Sequence, residues 1–366
     1  SCLERGLFFG DMIRDRESRT LSERERSVLR VVVDEYVRLG APVGSQRVAK
    51  IYRESLSSAT LRNVMASLED LGYLSQPHTS AGRVPTAAAY RFYVEGLLEN
   101  RCLSSKESGE IRKRLEAEID PAELMSKASQ ILSAYSNNIG IVLSPPISQV
   151  CLKHVEFVRL SKRRVLVVLV SHAGLVRHRL IHLGRDFIQA ELDQAGRYLV
   201  ETFAGWSLLE IRRRLVNLVA EEKEAYDQLL KNAVVLGTQA LTDEEEETST
   251  ESRVFLGGTS SLFERIDAPE FELLHALFRT LEQKTLLVEI INACLKGSAD
   301  SPAVTIGLQD HIPELGNWAL IVSPFNLDSQ ATGSLGILGP ARMEYGHTIS
   351  LVDYVAKLFG QIVRQG

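Results

Sequence analysis

Apolar residues along the chain recur first at helical spacing and later in short runs of Val, Leu and Ile. In the N-terminal part they fall three and four residues apart, which predicts helices with one buried face. The first helix opens at a capping box formed by Ser22 and Glu25 and ends at Gly40. Its apolar face consists of Val28, Leu29, Val32, Val33, Tyr36 and Val37.

Two further helices follow, with a short turn between them. Ser45 is expected to cap a helix that runs to about Tyr52. Ser57 or Ser58 caps the next helix, which ends at Gly72. Two helices joined by so short a turn are typical of a helix-turn-helix.

The third helix divides into an apolar stripe and a polar face. The stripe is formed by Leu61, Met65, Leu68 and Leu71. Thr60, Asn63 and Ser67 must then point outward, and Arg62 lies beside them. Asn pairs well with adenine, Arg pairs with guanine, and a helix N-terminus attracts phosphate. The pattern therefore predicts a face that can read base edges.

A compact hairpin follows the third helix. Tyr73-Leu74 and Arg83-Val84 are expected to be short strands, with residues 75–82 as the loop between them. A helix that enters a DNA groove beside such a loop is typical of a winged helix-turn-helix.

The polar face and the hairpin supply the candidate DNA contacts. The residues expected to read bases are Thr60, Arg62 and Asn63. The residues expected to hold phosphates or the minor groove are Ser57, Ser58, His78 and Arg83. The alternative is a winged helix used for protein contacts, since a face of Ser, Thr and Asn is often only a solvated surface.

Beyond residue 120 the pattern changes to strands, then helices, then strands again. Strand candidates separated by short polar turns are residues 139–143, 154–160, 165–170 and 175–183. Helical patterns then run from Asp186 to about Leu241, and further strands are expected at 304–308, 318–322 and 333–338. We interpret this order as one antiparallel sheet that a mostly helical segment interrupts, which gives an α+β fold.

The net charge of −5 is distributed unevenly along the chain, although the difference is small. Residues 1–100 carry 14 Lys and Arg against 13 Asp and Glu, whereas the remainder carries 28 against 34. This balance excludes a protein that coats DNA and favours a modest DNA footprint that depends on dimerisation.

The sequence shows no pattern of a catalytic, metal or membrane site. Its four cysteines lack paired spacing, which favours a reducing cytoplasm. No stretch approaches the roughly 18 apolar residues of a membrane span. His178 and His182 share a strand face, but no carboxylate or cysteine is placed to complete a metal site. We therefore expect no enzyme activity, no cofactor, no metal and no membrane partner.

Three segments resemble the heat-inducible transcription repressor family, HrcA. They are GSQRVAKIY, SSATLRNVMASLEDLGYLSQPHTSAGRVPT and, near the far end, LGILGPARMEYGHTISLVDYVAKLFGQIV. The resemblance spans nearly the whole chain from about Leu21. The sequence departs from the family pattern at Ala89, Ala341 and Gln309, none of which lies on the groove-reading face.

The resemblance implies a repressor of GroE and DnaK chaperone operons that binds double-stranded DNA, at an inverted-repeat operator, as a homodimer. It also implies that heat relieves repression and that the GroE-type chaperonin helps to keep the repressor active. The family further has a GAF-like domain and an inserted domain through which it dimerises.

Five regions are expected on this basis. They are an N-terminal tail (1–20), a winged-helix DNA-binding domain (21–100), a linker helix (101–119), a GAF-like antiparallel-sheet domain (120–184 and 265–366) and a mostly helical inserted dimerisation domain (185–264).

Overall fold

The computed structural model describes most of the chain. The described residues are 21–52, 56–78, 81–97, 103–220, 228–241, 254–259, 279, 281, 283–296, 301–328 and 331–365. The predicted N-terminal tail, an acidic run at 242–252 and most of a helical pattern near 270–282 lie outside these residues.

The N-terminal domain packs three helices with a small hairpin and a fourth helix. Its elements are α1 (Glu23–Leu39), α2 (Ser45–Ile51), α3 (Ser58–Asp70), β1 (Leu74–Ser75), β2 (Val84–Pro85) and α4 (Ala87–Phe92). The two strands pair antiparallel, with Leu74 opposite Pro85 and Ser75 opposite Val84. This arrangement confirms the predicted winged helix-turn-helix.

Local signals set the ends of α1, whereas α2 begins differently from the prediction. The Ser22 hydroxyl accepts from the Glu25 amide at 3.3 Å, and the Glu25 carboxylate accepts from the Ser22 amide at 2.9 Å. Gly40 ends α1 in the left-handed conformation, with a φ of 71°. Gly44, not Ser45, holds the cap position of α2, so the prediction that Ser45 caps this helix is wrong. Ser45 is instead buried and lies in the first turn.

A buried carboxylate ties α1 to α2. Glu35 is only 7% exposed and accepts hydrogen bonds from Arg38 at 3.0 Å and from Arg47 Nε at 2.6 Å. Burial by itself would raise the pKa of Glu35, but the hydrogen bonds and charges of the two guanidinium groups outweigh it and hold the pKa below its ordinary value. Glu35 therefore stays charged and links the first two helices of the domain.

The central domain is built on a five-stranded antiparallel sheet. Its strands are β3 (Ile139–Leu143), β7 (Val254–Gly257), β8 (Ala303–Ile306), β9 (Trp318–Asn326) and β10 (Thr332–Pro340). They lie in the order β7-β3-β10-β9-β8. The helices of this domain are α5 (Ser105–Leu115), α6 (Pro121–Ser136), α10 (Lys284–Leu295) and α11 (Tyr345–Gln365).

Helices cover both faces of this sheet. Val142 and Ile337 belong to the apolar core that includes α6 and α11. Ile141 and Leu320 point to the other face and pack in the core that includes α10. Because both faces are buried, strands such as β3 read as continuous apolar runs rather than as alternating ones.

The predicted linker helix is part of the central core. Ile111 and Leu115 of α5 are fully buried, and α5 packs against α6 and α11. The Tyr354 hydroxyl of α11 donates to the Ser108 carbonyl of α5 at 2.9 Å. α5 therefore packs on the central domain instead of crossing an open gap.

A second unit is inserted between β3 and β7. It contains β4 (Leu152–Arg159), β5 (Arg164–Ser171), β6 (Val176–His182), α7 (Gln189–Phe203), α8 (Leu208–Ala220) and α9 (Gln228–Leu241). The three strands form their own antiparallel sheet in the order β4-β5-β6. One face of this sheet and the three helices share an apolar core that includes Phe157, Val167, Leu199 and Leu215.

The expectation of one interrupted sheet is therefore wrong. Strands β4, β5 and β6 were expected to join β3, but each pairs only within its own meander. Short hairpins favour local pairing, while β3 pairs instead with β10 and β7, which are distant in sequence. The boundary expected at residue 184 thus falls inside the inserted unit, between its sheet and its helices. The GAF-like character of the central domain stays a prediction.

The Glu35 ion pairs predict a pH-dependent contribution to stability. At neutral pH we expect Glu35→Gln to lower the free energy of unfolding by about 1.5–3 kcal/mol, the usual value for hydrogen bonds to a charged group. Because the folded-state pKa lies below the ordinary 4.5, this difference is complete above that pH and is lost as the pH falls through the lowered pKa. Urea unfolding at about pH 7 and about pH 3 measures it.

The matched control is Glu23→Gln, which removes an exposed carboxylate from the same helix. We expect this variant to change the free energy of unfolding by less than about 0.5 kcal/mol. A Glu35→Gln effect that is equal at both pH values would contradict the assigned ion pairs.

Candidate nucleic-acid interface

The buried side of α3 determines which of its residues face outward. Leu61, Met65 and Leu68 are fully buried against the rest of the winged-helix domain. Arg62 and Asn63 therefore lie on the opposite side and are exposed. Among the described residues, neither side chain has a hydrogen-bond partner, so both are available to a ligand.

The N-terminus of α3 is capped by a serine and lacks acidic residues. The Ser57 hydroxyl accepts from the Thr60 amide at 3.1 Å and lies 2.9 Å from the Thr60 hydroxyl. The first turn of α3 contains no Asp or Glu. The partial positive charge of this helix end is thus not neutralised by its own side chains, which suits an anionic ligand.

Two polar contacts join α3 to the helices packed against it. The Ser58 and Ser45 hydroxyls lie 3.1 Å apart and join α3 to α2. The Ser67 hydroxyl donates to the Glu25 carboxylate of α1 at 2.9 Å. Ser67 is therefore half-buried and does not point outward as expected, and the side chain of Ser58 contacts α2.

The hairpin is closed by contacts of its own. The Gln76 side chain donates to the Ala81 carbonyl at 2.9 Å, and the Ala81 amide donates to the His78 carbonyl at 2.8 Å. His78 lies exposed near the tip, as a wing contact requires. Residues 79 and 80 lie outside the described residues.

Arg83 connects the hairpin to α3 and to the chain before α2. Its guanidinium pairs with the Glu69 carboxylate at 2.7–2.8 Å, and the side chain is only 16% exposed. Its amide and carbonyl also exchange hydrogen bonds with Val43 at 2.9 Å. Because its charge is already paired, the geometry does not support the expected phosphate contact of Arg83, and it assigns the residue to positioning the wing.

The second helix adds two candidates that the sequence analysis did not name. Gln46 and Lys50 are both exposed on α2, one helical turn apart. In a helix-turn-helix the first helix crosses the DNA backbone, so polar residues on its outer face are suited to phosphate contacts. Their spacing of four residues is the signal in the sequence that marks a shared face.

The structure thus brings together most of the expected contacts. Ser57, Thr60, Arg62 and Asn63 lie along the first turns of α3, and His78 lies on the hairpin that follows. Within the part of the chain that the structure describes, there is no group of three or more metal-ligating side chains. In the same residues, no helix is both long enough and apolar enough to cross a membrane.

Comparison with known families gives two matches that together cover most of the chain. Residues 20–95 match the family described as the winged helix-turn-helix transcription repressor HrcA, DNA-binding. Residues 122–349 match the family described as the HrcA protein C-terminal domain. The first match contains α1 to α4, and the second contains both the central sheet and the inserted unit.

Similar proteins carry the same name. The chain is 38% identical to the heat-inducible transcription repressor HrcA of Geobacter sulfurreducens, over 94% of this chain and 98% of that protein. It is 34% identical to the HrcA of Syntrophobacter fumaroxidans, with the same coverage. These relatives are transcription repressors and not enzymes.

A solved structure shares the fold. It is described as a hypothetical protein, is 23% identical, covers 94% of this chain and 99% of its own, and superposes with a TM-score of 0.59. The sequence matches, the winged helix and the exposed polar face of α3 lead to one conclusion. The chain belongs to the HrcA family of heat-inducible transcription repressors and has a winged-helix DNA-binding domain.

Proposed function

We propose that this chain represses heat-shock chaperone operons of the GroE and DnaK type by binding an inverted-repeat operator as a homodimer. The observation that carries the proposal is the exposed Arg62 and Asn63 face at the N-terminal end of α3. Family membership supports repression, and the resemblance described above supports the operon class.

Each contact has a distinct task in this proposal. Thr60, Arg62 and Asn63 read base edges in the major groove, since Arg and Asn recognise guanine and adenine by paired hydrogen bonds. Ser57, Lys50 and His78 contact the phosphate backbone or the minor groove. The backbone amides at the start of α3 add to phosphate binding, since this helix end carries no acid.

The inserted unit supports the dimer. The outer face of its sheet faces away from α7 and α9 and carries Val158, Leu166, Val168, Val170, Val176 and Leu180. Val176 and Leu180 are 61% and 44% exposed. Glu156 and His178 flank Val168 in one cross-strand row, so polar side chains that can hydrogen-bond to a second copy lie on both sides of the apolar centre. A two-fold axis through this face would bury the same patch on both copies.

Heat release and chaperonin dependence rest on the family resemblance. A repressor that needs both half-sites loses avidity when its dimer opens, so a marginally stable interface would act as the thermal element. A GroE-type chaperonin would then restore the folded form. A DNA-bound repressor of this kind works in the cytoplasm, where the operator lies.

Spacer length tests the dimeric repressor. We expect tight binding to an inverted repeat and at least about tenfold weaker binding when five base pairs are added to its spacer, since half a helical turn moves one half-site to the opposite face. A gel-shift titration at fixed salt measures both. Equally weak, salt-sensitive binding to the two DNAs would contradict the proposal and favour the protein-interaction alternative.

Two variants distinguish residues that read bases from residues that contact phosphates. We expect Asn63→Ala to weaken operator binding by roughly 10- to 100-fold for each half-site, because one paired base contact contributes about 1–3 kcal/mol and both copies of the dimer carry the change. Binding to random DNA should hardly change. Lys50→Gln should weaken both by similar factors and reduce the salt slope by about 1 for each copy that contacts the DNA. Equal losses on both DNAs for Asn63→Ala would remove Asn63 from base reading.

The dimer face is tested by a charge placed on it. We expect Leu180→Asp to convert the dimer to a monomer, measured by light scattering after gel filtration, because it places like charges within a shared apolar patch. Val235→Asp is the matched control, since Val235 is 46% exposed but lies on α9, away from this sheet face. A dimer that persists in Leu180→Asp would exclude this face as the interface.

A further inference from the structure

The motif between β10 and α11 faces the winged-helix domain. In this motif, Gly339-Pro-Ala-Arg-Met343, the guanidinium of Arg342 lies against Gly40, the left-handed residue that ends α1. A Cβ atom at Gly40 would overlap this guanidinium, so Arg342 would have to shift away if any other residue stood at position 40. The position also places a cation at the C-terminal end of α1, where the helix dipole is negative.

Aromatic packing surrounds this contact. The rings of Tyr90 on α4 and Tyr345 on α11 lie 5.9 Å apart, and both residues are buried. The Tyr345 hydroxyl donates to the Ala341 carbonyl at 2.7 Å, which holds the motif against the start of α11. Burial raises the pKa of Tyr90, as does the neighbouring Tyr36, and the charge of Arg342 partly opposes this rise. The domain boundary is therefore a packed contact that includes residues from both sides.

A second arginine reaches across the boundary in the opposite direction. Arg91 of α4 donates through Nε and Nη2 to the Ile306 carbonyl, at 2.9 and 2.7 Å. Ile306 is the last residue of β8, which forms one edge of the five-stranded sheet. One guanidinium thus extends from the central domain to the winged helix, and another extends from the winged helix to the central domain.

We propose that Arg91 and Arg342 are positioning residues that hold the winged helix at a fixed angle on the central domain, so that a dimer presents its two recognition helices at one separation. The proposal rests on the dimeric operator binding proposed above. Neither residue touches the DNA-reading face of α3. Their effect is to make the two arms of the dimer rigid, which raises the effective concentration at the second half-site for one spacer length only.

The test compares spacer preference with half-site affinity. For Arg91→Met combined with Arg342→Met, we expect the roughly tenfold or greater preference for the correct spacer to fall to within about twofold. Binding to a DNA that carries a single half-site should stay unchanged, because α3 and the wing are intact. Arg91→Lys keeps the charge and one donor nitrogen in place of two, so it should retain more of the spacer preference than Arg91→Met does.

Arg26→Met is the matched control. Arg26 also donates from Nε to a backbone carbonyl, that of Leu21 at 3.0 Å, but both residues lie within the winged-helix region. We expect this variant to keep the full spacer preference. If the double variant discriminates between spacers as strongly as the wild type, the positioning role is overturned.

Amide hydrogen exchange gives a readout that does not depend on DNA. In the double variant we expect faster exchange in α4 and in residues 341–345, with no change in the centre of α3. Unchanged exchange at α4 and 341–345 would overturn the proposal. A wild-type protein that shows no spacer preference would refute the proposed dimeric binding, and the exchange experiment alone would then decide the role of the two arginines.

Discussion

The burial of Leu61, Met65 and Leu68 is the constraint on which the functional surface depends. These side chains fix the rotation of α3 about its axis, and that rotation alone decides that Arg62 and Asn63 face outward. The surrounding polar contacts do not create this orientation but hold it. Ser45 with Ser58, Ser67 with Glu25 and Arg83 with Glu69 each join α3 to a different neighbour, so the helix is fixed along its length.

The features that could be predicted from the sequence are those that nearby residues determine. The capping box at Ser22, the glycine at position 40 and three of the four residues of the α3 stripe were confirmed, since residues within one or two turns set them. The fourth residue, Leu71, is half-buried and follows the end of the helix. Arg83 and Ser67 were assigned differently because their partners lie 14 and 42 residues away. The sequence does not show whether a charged side chain is exposed or paired, and only the folded domain distinguishes the two cases.

Sheet membership could not be predicted for the same reason. The strands of the inserted unit and those of the central sheet are similarly rich in Val, Leu and Ile, and no residue pattern states which strand lies beside which. The meander β4-β5-β6 closes through its own hairpins, whereas β3 is paired with β10 almost two hundred residues later. The winged helix could be recognised from the sequence because all of its elements are contiguous. The strand order of the central domain could not, since its sheet is assembled from both sides of an insertion.

The late partner of β3 has a consequence for biosynthesis. Ile139–Leu143 leaves the ribosome long before residues 334–338, the segment against which it finally pairs. The winged helix and the inserted meander can form during that interval because their contacts are local, and α6 and β7 can cover part of β3, but the place beside β3 that β10 finally occupies stays open. Nascent copies of this chain therefore pass through a stage in which two folded units flank a central sheet that still lacks β10.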